Sequence, residues 1–111
     1  MIEAILIEIL GALDVPVFVM FPDTMPQGQF LVLDRIGMGK TNHITSYEMA
    51  IQSYGSTALD AATLNELVIE TMENAIADDR FARIHLNNSQ MQTDTTRKIN
   101  RYQSTFEIVM M

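Results

Sequence analysis

The sequence predicts an α+β fold: a mixed or antiparallel sheet of about five strands with two main helices packed on it, in the order α-β-β-β-α-β-β. Three observations predict it. Residues 57–78 form the longest unbroken helical pattern in the chain, and a second, shorter helical pattern opens it. The remaining apolar stretches have the short runs and alternation of strands, and they arrive as neighbours instead of alternating with helices. At 111 residues, one domain spanning 1–111 is expected.

Ile2, Ile5, Leu6, Ile9, Leu10 and Leu13 follow the i, i+3, i+4, i+7 spacing of an amphipathic helix, which Gly11 and then Asp14-Val15-Pro16 should end. Ile7 lies off that stripe, as part of a wide core face or as a partner contact. Residues 15–19 are β-branched and apolar but include Pro16, so they suit an edge strand. Two prolines and a glycine make residues 21–28 a loop. Phe30, Leu31, Val32 and Leu33 are apolar on both alternating faces, which predicts a centrally placed strand covered on both sides. Residues 37–42, with two glycines, read as the turn into a strand at 44–54 that places Tyr47, Met49 and Ile51 on one face.

Thr57 with Asp60 is a capping-box variant for the main helix, whose roughly 31 Å length crosses a small sheet. Ala61, Leu64, Leu67, Val68, Thr71, Met72 and Ala75 fall on one side of it, and Thr63, Glu66, Glu70, Glu73 and Asn74 on the other. Ile69 and Ile76 are surplus to the main stripe. Ala82, Ile84 and Leu86 alternate with Arg83, His85 and Asn87 as a half-wet strand, and the polar run 87–96 reads as a long connection. In the last strand Tyr102, Ser104, Phe106, Ile108 and Met110 share a face.

Charge is uneven. Residues 1–79 carry twelve acids and two bases, whereas residues 80–111 carry five bases and two acids, within a total of -7. That balance disfavours non-specific phosphate binding. The absence of cysteine excludes disulfides and thiolate chemistry. The apolar N-terminal run is far short of the roughly 20 residues of a membrane span and reads as neither anchor nor signal peptide, so no membrane partner is expected.

Catalytic chemistry has little to stand on. Gly39-Lys40-Thr41 invites a phosphate-loop reading, but the first required glycine would fall at Asp34 and a strand follows instead of a helix. His43 and His85 lack metal-ligand spacing. Glu66, Glu70 and Glu73 share one solvated helix face, without the contrasting environments a carboxylate pair needs. No catalytic residue, metal or cofactor is assigned. What remains is an acidic helix face and a basic segment of Arg80, Arg83, Arg97, Lys98 and Arg101. These either pair within the chain or meet between neighbouring copies in a head-to-tail contact.

A family resemblance reaches further. The helix leading into Val15-Pro16-Val17-Phe18, the strand Phe30-Leu31-Val32-Leu33-Asp34-Arg35 before a glycine turn, and Ala50-Ile51-Gln52-Ser53-Tyr54 before a helix containing Leu64-Asn65-Glu66-Leu67 resemble small tail-completion proteins of long-tailed phages and prophages. Ala82-Arg83-Ile84, Asp94-Thr95 and Arg101-Tyr102-Gln103-Ser104-Thr105-Phe106-Glu107-Ile108 agree with that group's polar loop and closing strand. The resemblance implies a tail terminator similar to that of phage lambda, a structural protein and not an enzyme, located in the virion tail and assembled in the bacterial cytoplasm. It implies a homohexameric ring that stops growth of the tail tube. Its partners would be the major tail tube protein and the head connector, with DNA passing through without sequence-specific binding.

On that reading Ile69, Ile76, Glu66, Glu70, Glu73, Arg97, Lys98 and Arg101 are candidate subunit-interface residues. By analogy the segments 22–28, 37–43 and 88–98 are contact regions, with Arg35, Met38, Lys40, His43 and Asp94 the candidate tube and connector contacts. The alternatives are a head-completion or neck adaptor and, from a different class, a small dimeric ligand-binding or enzyme domain.

Overall fold

In the computed structural model, which describes residues 1–93, 95–96 and 99–111, the element order is the predicted one. Helix α1 (Ile2–Leu10) is followed by strands β1 (Val17–Phe18), β2 (Phe30–Thr41) and β3 (Ile44–Gly55), helix α2 (Ala58–Asn74), and strands β4 (Phe81–Met91) and β5 (Asn100–Met110). The five strands form one sheet ordered β1-β2-β3-β5-β4, mixed because β1 lies parallel to β2 while every other pairing is antiparallel. Its centre is β3, not β2: beside β2 stands only the two-residue β1, paired at Leu31 and Val32. As its proline required, that segment is an edge, and the Pro16 carbonyl accepts from the Leu31 amide.

Helix α1 buries Ile2, Leu6 and Leu10 at i, i+4 and i+8, and a 3₁₀ turn over Gly11–Leu13 ends at Asp14 in the left-handed region. Thr57 caps α2, its Oγ1 accepting from the Asp60 amide at 3.0 Å. The last predicted turn of α2 tightens into a 3₁₀ turn, Ala75–Ala77. Both helices contribute to the main core, where Leu6, Leu10, Leu64, Val68 and Met72 meet Leu31, Leu33, Met49, Ile51, Phe106 and Ile108. The double-sided pattern of β2 is explained by a second, smaller cluster: Phe30, Val32 and Tyr54, with Phe18, Phe21 and Ile99 packed against them. Leu67, expected on the core stripe, is 44% exposed. Its place on the wheel lies a turn's edge away from Leu64 and Val68, which the sheet takes instead. No helix among the described residues is long and apolar enough to cross a membrane.

Two boundaries differ from expectation for one physical reason: strands here continue through polar and glycine-rich sequence because neighbouring strands supply the pairing. The stretch 37–42 is not the hairpin turn. Gly37 to Thr41 stay in register with β3, after a bulge between Arg35 and Gly37. The turn is the two residues Asn42 and His43, with φ of 51° and 66°, the double positive φ of a type I′ hairpin. Likewise Asn88 to Met91 are paired with β5, so the predicted connection from residue 87 starts later. Because His43 holds a conformation that glycine adopts freely, His43→Gly should raise stability by about 0.5–1 kcal/mol, read as a shift in the denaturation midpoint at unchanged m.

Candidate assembly surfaces

Glu66, Glu70 and Glu73 are exposed on α2, as their positions on the wheel required. The three described arginines of the basic segment, Arg80, Arg83 and Arg101, each make contacts within the chain. Arg80 chelates Asp78, with Nη2 2.7 Å from Oδ2, and reaches Glu8 at 3.4 Å. Side-chain and then backbone hydrogen bonds from Arg80 hold the Asp78 carboxyl down at about 2. Arg83 reaches diagonally to Glu107 at 3.5 Å, and Glu107 itself stands between His85 of β4 and the like-charged Glu48 of β3. Arg101 is half-buried: Nε donates to the Gln92 carbonyl at 2.7 Å, Nη1 to the Tyr54 hydroxyl at 3.1 Å, and the guanidinium lies over the Tyr54 ring. Its local role is to tie β5 to the aromatic cluster. Arg97, Lys98 and Asp94 lie outside the described residues.

Of the two surplus isoleucines, Ile69 is half-buried and packs on the chain's own core, whereas Ile76 is 46% exposed. Its 3₁₀ turn packs against β4. At the opposite side of the sheet, the bulged residue Ile36 and Met38 are 52% and 58% exposed. Exposed apolar side chains therefore occupy both flanks of the sheet, beside β4 and beside β2.

The other candidate contacts also sit on β2 and its turn. Arg35 forms a two-pronged bond to Glu3 of α1, with Nε 2.8 Å from Oε2, and stacks on Tyr47. That hydrogen bond lowers the Glu3 carboxyl from its ordinary value. Arg35 thus fixes α1 to the sheet, a link that residue spacing did not reveal. Lys40 and His43 are exposed at the hairpin end.

The segment 19–29 folds over the face of the sheet opposite the helices. There Phe30 stacks on Tyr54 with centroids 4.6 Å apart, and Phe21 meets both rings edge-on. Beside this cluster a cleft of about 290 Å³ is lined by Met25, Pro26, Phe30, Tyr54, Ile99 and Asn100, among others. Asn100 commits its amide to the Ser56 carbonyl, so the walls are chiefly apolar. A polar spot also lies inside the helix–sheet layer: Asn65 donates to Ser89 at 2.9 Å, and Asn65 Oδ1, Ser53 Oγ and Ser104 Oγ are buried without a protein partner. Neither feature was visible in the sequence, where Asn65 falls among apolar neighbours only once the helix is docked. Among the described residues no group of three or more histidines and carboxylates could hold a metal ion.

No protein-family model matches the chain, and no curated protein is significantly similar to it.

Proposed function

We propose that this chain is a structural ring subunit of a phage tail, a tail terminator that caps the head-proximal end of the tail tube and joins it to the head connector. The reading starts from the resemblance of residues 15–18, 30–35, 50–54, 64–67 and 101–108 to tail-completion proteins. The observation that carries it furthest is the exposure of apolar residues on opposite flanks of one sheet, Ile76 beside β4 and Ile36 and Met38 beside β2. Two different flanks that each need covering favour a head-to-tail contact, and such contacts close into rings when the rotation per copy divides a full turn. The acidic net charge of -7 suits a conduit through which phosphate slides without sticking.

Light scattering and electron micrographs of the purified protein test this. A closed ring, expected at six copies, supports the reading, and Ile76→Glu combined with Met38→Glu should shift it to monomer without loss of helical signal. A chain that stays monomeric at every concentration and salt, alone and with tail tube protein added, would overturn it.

A further inference from the structure

The sheet has two open edges, and their hydrogen-bonding groups can be located residue by residue. In an antiparallel ladder only alternate residues bond to a given neighbour, and the others point their N–H and C=O the opposite way. Gln92 donates to the Arg101 carbonyl and Met111 to the Arg80 carbonyl. Odd-numbered β5 residues therefore serve β4, and their β4 partners are Arg83, His85, Asn88 and Gln90. By alternation Ile84, Leu86, Ser89 and Met91 aim their backbone groups at the open side. On β2 the Leu31 amide is given to Pro16, so the residues serving β3 are Val32, Asp34, Gly37, Gly39 and Thr41. Arg35, Met38 and Lys40 face the open side, beyond the reach of β1, whose pairing stops at Val32.

These two edges fit one another. β2 and β5 run one way and β3 and β4 the other, so β4 of one copy approaches β2 of the next antiparallel when the sheet simply continues. The outward-facing residues on both edges also carry side chains on the same face: Met38 is in register with Tyr47 and Leu86 with Phe106, both on the helix-bearing side. Pairing them keeps the helix layers of successive copies on one side of the sheet. Bulges at residues 36 and 87 leave 37–41 and 83–86 as regular runs, long enough for a short ladder.

We propose that the next copy of this chain docks by β-strand addition, with β4 pairing along the outer half of β2. Lys40 would stand opposite Ile84, and Met38 opposite Leu86, in the closely bonded pairs. This rests on the ring reading and deepens it. Gly39 leaves room for His85, and no like charges stand directly opposite. The exposed apolar residues Ile36 and Ile76 flank the seam and are covered as it closes.

The register places Thr41 of one copy opposite Arg83 of the next in a non-hydrogen-bonded pair, where Cβ atoms come close enough for a disulfide. The chain has no cysteine, so introduced thiols report alone. On mild oxidation the double variant Thr41→Cys, Arg83→Cys should give a ladder of covalent oligomers ending at the ring, while either single variant should give none. Lys40→Pro removes an outward amide that the chain's own sheet does not use. It should keep its circular dichroism and melting temperature and lose the ring. Rings without cross-links, rings formed by folded Lys40→Pro, or dimers from Arg83→Cys alone would overturn strand addition while leaving the ring reading in place. An unmutated protein that never leaves the monomer would overturn both.

Discussion

Gly55→Ala should lower stability by about 3 kcal/mol, the upper part of the range for overpacking, measured by urea or thermal unfolding. Gly55 is buried at the end of β3, where the chain turns back to start α2. A Cβ built there would lie 2.7 Å from the Ala61 nitrogen and 2.8 Å from the Asp60 Cβ. Both atoms belong to the first turn of α2, which cannot yield without moving the Thr57 cap and Ala61, a fully buried core residue. The comparison that isolates this cause is Gly37→Ala, whose Cβ would meet nothing nearer than Glu48 Cβ at 3.9 Å and should be tolerated. A Gly55→Ala protein within about 0.5 kcal/mol of the parent, the ordinary span of a surface change, would mean that the strand–helix junction relaxes freely.

The second large effect is expected at Tyr54. Its ring is stacked on Phe30, touched by Phe21 and covered by Arg101, and its hydroxyl accepts from Arg101. Tyr54→Ala should cost about 3–5 kcal/mol, as truncation of a buried aromatic residue does. It should also loosen the segment 19–29, because Phe21 loses a ring it packs on, and limited proteolysis there should accelerate well before global unfolding. Tyr54→Phe keeps the rings and gives up the hydroxyl bonds, so about 1 kcal/mol and little change in cleavage are expected. Equal cleavage rates for the parent and Tyr54→Ala would show that the segment is held by other contacts.

What could be read from the chain was whatever depended on side-chain period. Ile2, Leu6 and Leu10, the stripe through Leu64, Val68 and Met72, and the alternation of Ser104, Phe106 and Ile108 all buried the faces their spacing required. Thr57 capped its helix because a hydroxyl before a helix has an amide to satisfy. The failures share a cause. Gly37, Gly39, Asn88 and Gln90 have weak strand preference of their own, and partners on β3 and β5, distant in sequence, hold them in the ladder. Leu67 and Ile69 exchanged roles because the tilt of α2 on the sheet decides which flank is covered, and tilt is a tertiary quantity. Arg101 looked like surface charge until the fold placed Tyr54 beneath it. Of the candidate contacts, those on β2 and its turn kept their exposure at Met38, Lys40 and His43, while Arg35 is spent largely on Glu3.

The strand order carries a consequence for synthesis. β5 is made after β4, yet it lies between β3 and β4, and without it β4 has no neighbour in the sheet. Until residues 100–110 have cleared the ribosome, β3 exposes one edge, β4 exposes two, and α2 covers a sheet with a gap beneath it. The β2–β3 hairpin and α2 are local and can form early, but completing the sheet requires β5 to pair with β3, far from it in sequence, a non-local step that closes slowly. Throughout translation those edges are the same kind of hydrogen-bonding strip that we assign to assembly, so premature joining of incomplete chains is the hazard the cell has to outrun.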